Sequence, residues 1–394
     1  MAGYNGPMID ADIHNKWKDE SEVYQYLPKP WLEYAEAWAA GRPPGVGDQS
    51  KEGAVRAVGI RPPNVTVGAM VGNAARLVSS FPADGSPPGS DYGLLKEQIL
   101  DKHRVWRAML THDLGEYGQH LNQYFGVELC RAANEWCKER WLPLDERLYS
   151  AIVVPTSVPD EAAKEIRRLG AHPKLAAVLL AGNGLGRPFG DPIYHPIYKA
   201  AADMGLSLIC HVATDRPGPQ ITEVGGPASS GIVYSSQIGQ SAMHYASSLI
   251  VHGVFEKFPT LKIVFEEFGT SWLPSVIWGM DRQYDLLRHE SPWVKKWPSE
   301  YFHDHIRVTT QPLEESPDPE GMIEVIRSVE GMEDMLCFST DYPHMTFDDP
   351  NYIARLLPAE WHEKIFFENS CDLFGWQSDA RAAFGLATSA VGGA

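Results

Sequence analysis

Met8-Ile9-Asp10-Ala11-Asp12-Ile13-His14-Asn15 is the stretch from which the rest of the chain can be read. Apolar Met8, Ile9, Ala11 and Ile13 interleave with Asp10, Asp12 and His14. Successive side chains of a strand alternate faces, so Asp12 and His14 share a face, with Asp10 one step deeper. A carboxylate and an imidazole at i and i+2, at the end of a buried strand, form half of a metal site. The same pair also occurs as a plain hydrogen-bonded couple. The reading therefore depends on what the other strand ends carry.

Outward from this segment the pattern is regular. Further strands are expected over residues 105–110, 151–155, 175–180, 206–211, 262–266, 306–309 and 335–339. Helices are expected over 92–103, 119–140, 160–169, 193–204, 235–250, 272–287, 321–328 and 360–367. Short apolar strands followed by helices are the signature of a parallel sheet with right-handed crossovers. Eight such units predict an α/β fold closed as a (β/α)8 TIM barrel. An open doubly wound sheet is the alternative, but no Gly-x-Gly-x-x-Gly follows the first strand.

Residues 15–91 form a long insertion rich in Pro and Gly that carries Trp17, Trp31, Tyr34 and Trp38. Its aromatic content predicts an ordered lid, binding loop or assembly surface rather than a solvated coil. The reading is one domain over residues 1–378 and a flexible Ala/Gly-rich tail over 379–394. Hydrophobic content of 44% supports a large core, and no apolar run is long enough to span a bilayer. The start lacks the basic and apolar regions of a leader, so the expected location is cytoplasmic. A net charge of −17 argues against nucleic acid or an anionic membrane as partner. The five cysteines contain no Cys-x-x-Cys pair and read as buried thiols.

Catalytic groups of such a barrel belong at the C-terminal ends of its strands. Those positions hold Asp12 and His14, His112, His211, the pair Glu266-Glu267, and Asp341 with His344 three residues on. A lone histidine on an apolar strand is usually a satisfied core residue, and Asp before Tyr-Pro usually a turn residue. Several at one rim are different. Carboxylates and imidazoles converging in a low-dielectric pocket carry uncompensated charge, and a divalent ion resolves it.

Three motifs carry a family resemblance: Asp10-Ala11-Asp12-Ile13-His14, the run Val254-Phe255-Glu256-Lys257-Phe258-Pro259-Thr260-Leu261-Lys262-Ile263-Val264, and Phe338-Ser339-Thr340-Asp341-Tyr342-Pro343-His344. Together they resemble the amidohydrolase superfamily, in the amidohydrolase-related branch that includes aminocarboxymuconate-semialdehyde decarboxylase and dihydroxybenzoate decarboxylases. The resemblance runs from about Met8 to Trp376. It implies a distorted barrel with a divalent metal held by Asp12, His14, His211 and Asp341. Two departures stand out. The first strand offers Asp-x-His where these decarboxylases commonly have His-x-His or Glu-x-His. The sixth ends in Glu267 where a histidine followed by glycines is usual. Glu267 is then a further ligand, bridging a second metal, or a general base of raised pKa. Alternation sends Glu266 the other way, as an outer or helix-capping partner. Some members of the branch resemble oxygenases with two iron or manganese–iron ions, which a carboxylate-rich rim suits.

The expected function is metal-dependent hydrolysis or non-oxidative decarboxylation of a small organic acid or amide. One or two ions of zinc, manganese or iron would activate water or polarise the substrate, while Asp341 or Glu267 moves the proton, with His344 in reserve. Trp17 and Trp272 would line an apolar substrate pocket. His112 and His252 would offer further substrate contacts, and Arg216 would clamp a carboxylate. The alternatives are a dinuclear oxygenase of the same fold, or a non-catalytic partner subunit whose insertion is an assembly surface. A homodimer, or a hetero-oligomer with a homologous subunit, is expected, with Trp31, Trp38 and Trp361 as interface aromatics.

Overall fold

All eight expected strands form in the computed structural model, which describes residues 4–40 (side chains to 37), 76–111, 117–118, 120, 122–182, 185–212, 235–314 and 316–384. They are β1 (Met8–Ile13), β2 (Val105–Leu110), β3 (Leu148–Val153), β4 (Leu175–Ala181), β5 (Ser207–His211), β6 (Ile263–Glu266), β7 (Ile306–Thr309) and β8 (Leu336–Cys337). Each pairs in parallel with the next, in the order β1 to β8. The seam between β8 and β1 is joined by backbone hydrogen bonds. Ala11 N donates to Phe338 O at 3.0 Å, Asp341 N to Asp12 O at 3.1 Å, and His14 N to Tyr342 O at 2.7 Å. The result is a (β/α)8 barrel.

Helices between the strands start where the sequence offers a cap and a proline. Asp318 and Asp349 accept backbone N–H groups at the starts of helices Pro319–Arg327 and Pro350–Leu356. The proline supplies a fixed φ where a missing N–H costs nothing. β1 is buried along its whole length, with Ile9, Ala11 and Ile13 as deeply enclosed as Asp10 and Asp12. Strands covered on both faces read as near-continuous apolar runs, and here the carboxylates are the exceptions.

Asp10 explains itself structurally. It is fully buried and accepts from Thr340 N at 2.9 Å and Thr340 Oγ1 at 2.6 Å, which fastens β1 to the segment after β8. Burial pushes its carboxyl up to about 7, against the pull of those two donors.

Two expectations need correction. Trp361 is buried within the chain and so is no surface aromatic, while Trp31 packs on Phe125 at 5.6 Å between ring centres and stays partly exposed. The side chain of Trp38 and residues 41–75 of the insertion lie outside the described residues. The start of the expected flexible tail is instead part of the helix Gln377–Phe384. Asp379 pairs with Arg107 at 2.7 Å, and Phe384 meets Trp106 and Phe367, each at 5.5 Å. All five cysteines are buried thiols, and among the described residues no helix is long and apolar enough to cross a membrane.

Replacing Asp10 with Ala strands the Thr340 amide at the seam and should lower stability by about 2–3 kcal/mol. Asp10→Asn keeps an acceptor and should recover most of that loss. Chemical denaturation of the three proteins checks both.

Candidate metal centre

β1 and β5 bring three donors together. His14 Nε2 lies 3.2 Å from His211 Nε2 and 3.4 Å from Asp12 Oδ1, and His211 Nε2 lies 3.4 Å from Asp12 Oδ2. Asp341, just past β8, adds its Oδ1 at 3.2 Å from His14 Nε2. Donors about 2.1 Å from one ion, at octahedral or tetrahedral angles, sit about 3.0–3.4 Å apart. The observed spacings match the edges of such a polyhedron. His211 Nδ1 faces the carbonyl of Val212 at 2.6 Å; a carbonyl only accepts, so Nδ1 carries the hydrogen and Nε2 presents its lone pair. Asp12 Oδ2 is buried and accepts no hydrogen bond among the described residues. The imidazole nitrogens of His14 and His211 with the Asp12 carboxylate fit a divalent cation, and Asp341 joins His14, Glu267 and His344 in a second group of possible ligands.

Glu267 and Asp341 share a backbone peculiarity. Both take left-handed conformations, with φ of 62° and 58°, which carry strain for residues with a Cβ and concentrate at functional sites. At Glu267 this turn breaks the strand alternation. Its carboxylate comes within 3.8 Å of His211 while keeping 19% of its surface open. Ligand atoms of His14, Glu267, Asp341 and His344 all lie within 4.8 Å of one another, beside the group formed by Asp12, His14 and His211.

Neutral side chains hold the acids in place. Thr111 Oγ1 donates to Asp12 Oδ1. Gln311 Nε2 donates to Asp341 Oδ2 at 2.8 Å and Thr346 Oγ1 to the same oxygen at 3.1 Å, while His344 Nδ1 sits against Oδ1.

The electrostatics follow from burial and crowding. Burial alone would raise Asp12 and Asp341, but His14 with His211, and His344 with His14, hold the two well down as carboxylates. Burial would lower His211, yet the Asp12 carboxylate leaves it raised. Burial lowers His344 in spite of Asp341 beside it, and Arg76 and His14 add to that. Glu267 is pushed up to about 8 by burial and then by Asp341, against the pull of His211 and His14.

Of the residues expected at the site, Asp12, His14, His211, Glu267, Asp341 and His344 are gathered by the fold. Trp17 packs edge-on against Trp136 and beside Tyr117, and Trp272 packs on Phe265 and donates to Gly269 O. His252 is exposed at the end of helix Gly239–Val251, against Gly190, and is not part of either ligand group. His112 and Arg216 lie outside the described residues.

Glu266 departs from expectation. It pairs in register with His211, is fully buried, and its carboxyl makes no hydrogen bond among the described residues. Burial and then Asp12 push its pKa far up. Alternation was a sound guide until Glu267 turned left-handed, so both glutamates face inward. Thr111, Gln311, Thr346 and Arg76 were also missed. Arg76 is 9% exposed and bridges His344 through its backbone. It follows 41–75, where no periodicity marks it.

A parallel eight-stranded barrel with acids and imidazoles converging at the C-terminal ends of its strands defines a metal-dependent barrel of the amidohydrolase kind. Comparison with known proteins agrees. The family profile described as amidohydrolase matches residues 85–376, and the chain belongs to that family. It is 23% identical over 303 residues to gamma-resorcylate decarboxylase of Polaromonas sp. (strain JS666), covering 71% of this chain and 86% of that enzyme. Among solved structures it resembles a dihydroxybenzoic acid decarboxylase from Polaromonas sp. JS666 with bound manganese and the inhibitor 2-nitroresorcinol, with a TM-score of 0.61 at 17% identity over 94% of this chain and 97% of that one. It also resembles 5-carboxyvanillate decarboxylase from Sphingomonas paucimobilis, with a TM-score of 0.60 at 19% identity over 94% and 99%.

If the Asp12–His14–His211 group holds an ion, His211→Ala should weaken divalent-metal binding by more than the roughly 100-fold that outer partners command. Elemental analysis of the dialysed protein, with a thermal melt as folding control, checks it.

Proposed function

We propose that the chain is a manganese-dependent, non-oxidative decarboxylase of a hydroxylated aromatic acid. The observation that carries this is the placing of the Glu267 carboxyl, pushed up by burial and by Asp341, at the mouth beside clusters of ligand atoms that could hold a divalent cation. Hydrolysis needs a base that takes a proton from water. Decarboxylation of a ring needs an acid that gives one to carbon, and a carboxyl of raised pKa is an acid. The relatives named as decarboxylases of such acids support the same reading.

Asp12, His14, His211 and Asp341 would hold the ion, which when bound would polarise the substrate's oxygen atoms and orient them. Glu267 delivers its proton to the ring carbon. The bond from that carbon to the carboxylate breaks, its electron pair forms the new C–H bond, and CO2 leaves. Arg76 offers a cation for the substrate carboxylate in the role expected of Arg216. His344 orients Asp341 and takes part in returning the proton to Glu267.

A second reading rests on the grouping of Glu267, Asp341 and His344 around His14. There Glu267 and His344 hold a second ion, and the chemistry is oxidative, as in a dinuclear oxygenase. Glu267 would then be ionised and could not serve as proton donor.

The test is CO2 release from 2,6-dihydroxybenzoate and 5-carboxyvanillate by the manganese-loaded chain. The acid form of Glu267 is present below its pKa and lost above it, and a nearby cation pulls that pKa down. Activity should therefore fall on an alkaline limb at or below pH 8, and Glu267→Gln should abolish it with metal still bound. Two ions per chain with dioxygen consumption favours the second reading. Activity seen only after co-expression with a homologous chain marks a partner subunit.

A further inference from the structure

We propose that Gln311 is a positioning residue of the centre: its amide selects which oxygen of Asp341 faces the other donors, and ties down the loop that carries His344. This rests on the metal-centre reading above. Gln311 lies two residues beyond the end of β7 and is fully buried. Its Nε2 donates twice, to Asp341 Oδ2 at 2.8 Å and to the Thr346 carbonyl at 3.0 Å. Thr346 Oγ1 donates to the same carboxylate oxygen at 3.1 Å. Oδ2 thus has two donors, while Oδ1 faces His14 Nε2 and His344 Nδ1.

The torsion of an aspartate carboxyl is broad and two-fold, so packing alone does not distinguish its oxygens. Two donors on one oxygen do. Released from them, the carboxylate would turn both oxygens toward an ion or swing away from it. A charged residue would fill this position badly. A lysine or arginine would compete with the ion for Asp341, and a further carboxylate would add to acids already crowded together. An amide supplies two N–H donors with no charge. The second N–H reaches across to Thr346, and His344 N donates to Asp341 O at 2.8 Å within the same loop. One side chain thereby fixes the ligand oxygen and the histidine beside it.

Gln311→Met keeps the length of the side chain and removes both donors. Manganese binding to the full chain should weaken about 10- to 100-fold, the range for loss of an outer partner. The electron paramagnetic resonance spectrum of bound Mn(II) should also change, because the coordination of Asp341 changes. Thr346→Val, at an exposed position, removes one donor and should weaken binding by about threefold or more, with a smaller spectral change in the same direction. If Gln311→Met does not fold, Thr346→Val carries the test alone. Wild-type affinity and an unchanged spectrum in the folded variants overturn the proposal while leaving the metal centre intact. A wild-type chain that binds no manganese overturns the centre, and this inference with it.

Discussion

Imidazole and carboxylate donor atoms are held 3.2–3.4 Å apart in the mouth of a closed barrel, and the rest of the site depends on that crowding. Asp12, Glu266 and Asp341 are fully buried, and Glu267 keeps 19% of its surface open. Buried carboxylates without compensation are strongly disfavoured. Such a group either takes a proton or finds a cation. The two outcomes divide between the residues here. Asp12 and Asp341, faced by imidazoles, stay ionised and ready for a metal. Glu266 and Glu267 are driven toward the protonated form by burial and then by a neighbouring aspartate, Asp12 for the first and Asp341 for the second.

The barrel's seam makes this crowding possible. Asp12 and Asp341 are joined backbone to backbone across it, and Asp10 fastens Thr340 one residue before Asp341. These contacts fix the two carboxylates relative to each other before any ion is considered. Gly89 tightens the same corner. It takes φ of 84°, and a Cβ there would lie 2.6 Å from the carbonyl oxygen of His14, so only glycine lets the insertion close over the end of β1.

How far the sequence revealed this follows from what each signal reports. Period-two alternation at a buried strand reports burial and facing, and it placed Asp12, His14 and His211 correctly. It fails where the backbone leaves the β region, and at Glu267 that failure put Glu266 on the wrong side. Neutral helpers such as Thr111 and Gln311 leave no trace, because a threonine or glutamine in a loop is ordinary until its partner is known. The helix from Gln377 is a different case. Its Ala-rich sequence looks frayed alone, but Ala380 is buried and Asp379 reaches Arg107, whose guanidinium lies 4.8 Å from the ring centre of Trp376. Tertiary contacts create that order, and propensity does not report them.

The carboxyl at the end of β6 gives the chain its own character. A neutral imidazole at such a position could offer a metal a lone pair or accept a proton. A carboxyl at that place does neither while protonated, and it becomes a ligand only by giving its proton up. Burial and the Asp341 charge keep the proton on, and a cation beside His211 would draw it off. The position of any ion relative to Glu267 therefore decides whether that residue acts as acid or as ligand. The left-handed turn holds it 3.8 Å from His211 and within 4.8 Å of ligand atoms of His14, Asp341 and His344.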